Sequence, residues 1–355
     1  MRIETPQQLR DHIELAISVE LSTIPPYLFA IYSLEDQASE AALLLKSIVV
    51  EEMLHTSLAT NVLLAIGGSP RFTDPDMFPT YPGLLPHHDP PLPLSLEPCS
   101  RRLIEDVFMR VEQPELHEPT RGEGFATLGQ FYHSLEMGIR DVAISHDLFA
   151  DPQRARQLAD PAFYAPVAYD AEDSGGLVLV EDAETARQAL EVIVHQGEGL
   201  STSRWADPSH QELTHYHKLL QIVDGTSPLG AVLPIRANPR TADYPEPART
   251  ASHLFNAGYR YVFFLLEELF SPCDDKSDAV RRLYRVMGDV LGRLARYLVA
   301  QPLDDGTVAA PTFELFALNS GSPEGELLTL AAELRARDGG SAHVFDSVER
   351  LFRPR

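Results

Sequence analysis

The chain has 355 residues, 44% of them hydrophobic, enough for one large or two ordinary domains with a real core. With 52 acidic against 29 basic residues the formal charge is −23, so nucleic acid and anionic membrane surfaces are excluded as partners on electrostatic grounds. Cys99 and Cys273 are the only cysteines and stand far apart, which excludes a disulfide framework and a zinc knuckle. The N-terminal MRIETPQQLRDHIEL lacks the apolar run of a signal peptide. No stretch approaches the roughly 18 uninterrupted apolar residues of a membrane span, so a cytoplasmic protein is expected.

Thr5-Pro6-Gln7-Gln8 carries the signals of a helix start: an N-cap residue, proline at the first helical position and glutamine at N3. Leu9, Ile13, Ala16, Glu20, Ile24, Tyr27 and Ile31 then recur at steps of three and four, predicting a first long helix. Pro25 and Pro26 fall inside it, remove two amide donors and free carbonyls near Leu21 and Ser22. The expected kink would widen the bundle beside Tyr27, Phe29 or Tyr32, or simply bend the helix around the core.

A second helix is predicted over 38–66, stopped by Gly67-Gly68-Ser69-Pro70. Residues 69–98 hold nine prolines and read as an extended crossover. A short amphipathic helix follows near 101–112, then a long one over 123–149 with Phe125, Gly129, Tyr132, Glu136, Ile139, Ala143 and His146 on one stripe. Asp182 can cap another helix, on which Ala186, Leu190, Val194 and Glu198 share a face. Residues 208–223 resume helix. The Pro-rich segment 226–248 leads to a C-terminal part with helical periodicity over 254–270, 280–298 and 327–334. No convincing strand alternation is present, and the expected fold is all-α, divided into a metal-binding bundle at 1–225 and a helical extension at 226–355 packed on it.

Charged residues break the apolar stripes in a regular way. On the second helix Leu45, Ile48, Glu52, His55, Ala59, Val62 and Ile66 form the buried seam, while Glu51 falls about 100° away and reads as a flanking residue. Glu20, Glu136 and Glu198 interrupt the stripes of three further helices. Four buried carboxylates brought together would repel one another unless dications compensate them. Glutamates on facing helices together with Glu-x-x-His are the ligand set of carboxylate-bridged di-iron and di-manganese bundles. Two such motifs occur, Glu52/His55 and Glu212/His215, against roughly one expected by chance.

Blander readings remain at each position. Glu20 can be a buried carboxylate satisfied by Tyr or Arg, Glu52/His55 a surface pair, and Glu136 a partner of Arg140. On the fourth helix Glu198, His195 and the Glu191/His195 pair are alternatives. His215 is the better second imidazole, and its neighbours Glu212, His210 and His217 read as solvated or supporting residues.

VELSTIPPYLFAIYSLED, VVEEMLHTSLATNVLLAIGGSP, TLGQFYHSLEMGI, HQGEG and ELTHYHKLLQI, spread over residues 5–223, resemble the ferritin-like domain of the iminophenyl-pyruvate dimer synthase family. This domain occurs in the chromopyrrolate-type synthases of violacein, rebeccamycin and staurosporine pathways, and VMGDVLGRLARYLVAQPLDDGTVAAPTFEL is similar too. The resemblance implies a ferritin-like four-helix bundle with metal ligands near Glu20, Glu52, His55, Glu136, Glu198 and His215. It also implies oxidative chemistry on amino-acid-derived imines or a related secondary-metabolite substrate. The known synthases are much longer chains, and His133 and His195 depart from the pattern.

The expected function is a non-haem oxidoreductase or synthase that uses O2 and two iron ions, or manganese, on a small organic substrate, in a chain able to form a homodimer. The competing readings are a ferroxidase or iron-storage protein, a metal-free helical scaffold, and a haem protein ligated through His55, His195 or His215.

Overall fold

The computed structural model describes residues 3–114, 124–167, 175–197, 213–319 and 321–352. Helix α1, Pro6–Ser33, begins in a complete capping box between Thr5 and Gln8 and runs through Pro25 and Pro26. Helix α2, Glu40–Ala65, is capped by Ser39 and ends at Gly67, whose φ of 75° suits a residue without Cβ. The two helices pack antiparallel along their length and form the centre of the molecule. Each is apolar and long enough to cross a membrane, yet 78% and 83% of their most apolar windows are buried by the rest of the chain, the behaviour of core helices.

The Pro-rich crossover forms a single two-residue antiparallel pair, β1 (Gly83–Leu84) with β2 (Pro93–Leu94). It satisfies α1 on the way: the Tyr81 hydroxyl donates to the carbonyl of Ser22 at 2.6 Å, the carbonyl whose i+4 amide Pro26 has removed. Helix α3 covers 101–111, with a π turn at Ile104–Phe108 between two short α segments. Helix α4 is Leu128–Ala143, shorter at both ends than its sequence stripe. Helix α5, Ala183–Gly197, is started by the Asp182 carboxylate, which accepts from the Thr185 amide at 2.8 Å. Helix α6, His215–Asp224, has Thr214 as its cap and Gly225 at φ 87° as its stop.

In the C-terminal part α7 (Ala248–Leu269) packs on α8, residues 277–299, which also contains a π turn at Val286–Leu291. Helix α9 (Pro323–Arg337) was expected, whereas α10 (Ala342–Leu351) was not. Side chains on both sides of residue 225 belong to one hydrophobic core that includes Leu45 and Ile48 of α2 together with Phe255 and Phe263 of α7.

Candidate metal centre

α1 and α2 bring Glu20, Glu52 and His55 together in the interior, each no more than 3% exposed. The end of α3 adds Glu112 and the first turn of α6 adds His215, 2% and 0% exposed. These five side chains form two triads, Glu20/Glu52/His55 and Glu52/Glu112/His215, whose donor atoms lie within 4.8 Å of one another in each. Glu52 belongs to both. Its Oε1 is 3.8 Å from His55 Nδ1 and 3.1 Å from His215 Nδ1. The two imidazoles face each other with centroids 5.4 Å apart.

Each of the three carboxylates is divided in the same way. One oxygen accepts from a hydroxyl: Tyr132 to Glu20 Oε1, Thr23 to Glu52 Oε2 at 2.5 Å, and Tyr27 to Glu112 Oε1 at 2.7 Å. The other oxygen faces an imidazole Nδ1: Glu20 Oε2 at 3.3 Å from His55, Glu52 Oε1 as above, and Glu112 Oε2 at 3.2 Å from His215. The imidazoles repeat this division. His55 Nε2 lies 3.0 Å from Gln196 Oε1 and His215 Nε2 lies 2.9 Å from Glu51 Oε2. An acceptor on Nε2 places a ring proton there and turns Nδ1 to the carboxylates, where it carries a proton in metal-free His215 and would offer its lone pair to a bound ion.

Charge is balanced unevenly. The Lys218 ammonium, fully buried on α6, bonds both oxygens of Glu51 at 2.6 Å and Ser47 Oγ at 2.8 Å. Burial alone would raise the Glu51 carboxyl, but Lys218 and His215 outweigh it and bring it down to about 2. Among the described residues no lysine or arginine pairs with Glu20, and burial pushes its carboxyl up to about 7. Burial also raises Glu52. His55 is lowered by burial, whereas in His215 the pull of Glu112, Glu51 and Glu52 exceeds the burial effect and raises it well above 6.5.

The structure places the expected residues differently from one another. Glu20, Glu52, His55 and His215 come together. Glu20 does have the tyrosine partner of the blander reading, yet that bond occupies only one of its oxygens. Glu136 does not join them: its side chain is 45% exposed and, among the described residues, it stands 4.0 Å from His133 Nδ1. The buried stripe of α4 runs through Phe131, Leu135, Gly138 and Val142, one position before Glu136, and what α4 delivers to the site is Tyr132. Glu198, Glu212 and His210 lie outside the described residues. α5 reaches the centre through Gln196, not through His195. Glu51, expected to flank, is 1% exposed and holds His215.

Glu112 escaped the sequence reading. It follows a π turn, which inserts one residue and rotates the following side chains by about 100° relative to a 3.6-residue count. The detectable signal was a glutamate closing a short amphipathic helix that precedes a proline.

A bundle built around a long antiparallel helix pair, with a carboxylate shared between two imidazoles, defines the class to which this molecule belongs. The model of the ferritin-like family matches residues 13–224, and the chain belongs to that family. Dichlorochromopyrrolate synthase of Lentzea aerocolonigenes is 25% identical over 325 residues, covering 81% of this chain and 31% of that protein. The chain thus corresponds to less than a third of that relative's length. Among solved structures, a ferritin-like protein from Caulobacter vibrioides shares the fold at a TM-score of 0.56 and 22% identity, over 81% of this chain and 96% of the other.

Proposed function

We propose that the cluster holds two transition-metal ions, iron or else manganese, and that the protein is an O2-using oxidoreductase or synthase acting on a small amino-acid-derived substrate. The observation that carries the metal assignment is the shared division of donors: three carboxylates and two imidazoles each have one atom tied outward and the other turned to a common centre. Ligands of one ion at about 2.1 Å each stand at most roughly 4.2 Å apart, so triads spanning 4.8 Å close with small side-chain rotations. Among the described residues, four buried carboxylates face one buried ammonium, an imbalance that two dications reverse.

Glu20 and His55 would hold one ion, Glu112 and His215 the other, and Glu52 both. Bound ions of this kind supply redox equivalents and open positions for O2 and substrate. The protein's own contribution is orientation. Thr23, Tyr27 and Tyr132 fix the carboxylates, and Gln196 and Glu51 fix the imidazole tautomers. The relationship to a biosynthetic synthase supports an organic substrate over iron storage.

Anaerobic loading with Fe(II) or Mn(II), followed by metal analysis, is expected to give about two ions per chain, and Glu52→Ala to lower this below one. Less than one ion in the parent protein, unchanged in Glu52→Ala, would overturn the assignment. Fe(II) oxidation that proceeds through many turnovers without any organic compound would move the reading to a ferroxidase.

A further inference from the structure

Behind the metal-centre face of α1 and α2, the C-terminal helices enclose a second cavity of about 330 Å³. Its walls are Leu21 and Ile24 of α1, Met53 and Ser57 of α2, and Val262 and Leu266 of α7, with Leu283 and Met287 of α8 closing the far side. Leu21 and Met53 directly follow Glu20 and Glu52, so the cavity uses the neighbouring face of the same two helices. None of the five candidate metal ligands lines it.

In a chain of net charge −23, not one Asp, Glu, Lys, Arg or His borders this space among the described residues. Most of its hydroxyls are already engaged. Thr56 and Ser57 bond back to the carbonyls of Glu52 and Met53, each at 3.0 Å, and Tyr284 bonds the Phe163 carbonyl at 2.8 Å. Tyr259 and Tyr32 differ: no group among the described residues hydrogen-bonds either hydroxyl, and Tyr259, 5% exposed, is the more buried of the two. Val167 and Tyr284, 44% and 47% exposed, bring the apolar lining out to the surface and mark a mouth.

Native interiors close voids much larger than a water molecule, because wall atoms without neighbours forfeit dispersion contacts. The space equals the liquid share of about eleven waters, yet a wall this apolar gives water few partners. We propose that the cavity is a binding site, separate from the metal centre, for an uncharged apolar molecule carrying one hydrogen-bonding oxygen, of the size of a two-ring arene or a ten-carbon chain. The apolar body fills the space between α2 and α7, and the oxygen meets Tyr259. A charged headgroup finds no counter-charge among the described lining residues and is rejected by desolvation.

The test is titration of the full chain with 2-naphthol, followed by fluorescence, with and without bound metal. Saturable binding of one molecule per chain is expected in both states. 1-Decanol is expected to displace it, with decanoate and decyltrimethylammonium at least about tenfold weaker. Leu266→Trp, and independently Ser57→Leu from the opposite wall, should weaken naphthol at least about tenfold while leaving metal stoichiometry unchanged. Tyr259→Phe should weaken naphthol roughly fivefold and naphthalene not at all. Non-saturable uptake, equal competition by decanoate, or parental affinity in whichever filling variants fold would each overturn the proposal.

Discussion

Lys218 and Glu51 show how much a single buried contact is asked to hold. Neither side chain reaches water, and Glu51 also anchors His215 through Nε2. Removing only the ammonium leaves a buried carboxylate with His215 and Ser47 but without its lysine cation, so Lys218→Met is expected to destabilise the fold by about 3 kcal/mol in urea unfolding. The double variant with Glu51→Gln should recover part of that loss, because the orphaned charge is gone. The same centre sets a pH dependence. In the metal-free protein burial holds protons on Glu20, at about 7, and on Glu52 that the unfolded chain has released. The folded state therefore binds more protons than the unfolded one, and stability falls as pH rises above 4.5. His215, raised well above 6.5, loses its contribution in the same direction at higher pH, and His55, lowered by burial, opposes it near 6.5. The urea midpoint of metal-free protein is expected to decline from about pH 5 to about pH 8. Metal-loaded protein should show the reverse trend, since its ligands must be deprotonated. A midpoint that rises with pH in both states would contradict the assigned protonation.

The elements differ in how far they could be read from the chain. Helix α1 carries a capping-box start and α2 a glycine-proline stop, each with a regular seam, and Glu20, Glu52 and His55 sit on the faces that seam defines. Prolines 25 and 26 do not end α1, because the freed Ser22 carbonyl takes Tyr81 from the crossover instead. Tyr81→Phe removes that donor and is expected to cost about 1–3 kcal/mol, measurable by thermal unfolding. Periodicity failed where more than one face is apolar or where the count changes. On α4 the apolar residues occupy adjacent positions, so a stripe through Glu136 was as regular as the true one through Leu135. On α3 the π turn broke the count ahead of Glu112. The partners that fix the site, Tyr27 with Glu112 and Gln196 with His55, are separated by 85 and 141 residues, distances at which local pattern carries no information.

At the scale of the whole molecule, the question is whether the chain divides near residue 225 as its composition led one to expect. The core runs across that point without a break: α1 contacts the end of α8, and α7 and α8 face α1 and α2 across the apolar cavity. Residues such as Leu28 and Val49 meet the C-terminal helices across the apolar cavity. A chain ending at 225 would expose this face of the two central helices to water, and apolar area exposed at about 25 cal/mol per Å² soon exceeds the margin of a typical domain. The full chain is therefore expected to unfold in one calorimetric transition whose van't Hoff and calorimetric enthalpies agree. The fragment 1–225 is expected to lack a cooperative transition and to aggregate. Two resolved transitions in the full chain, or a fragment that melts cooperatively and still takes up two metal ions, would instead establish the bundle as an independent unit carrying the C-terminal helices as a removable cover.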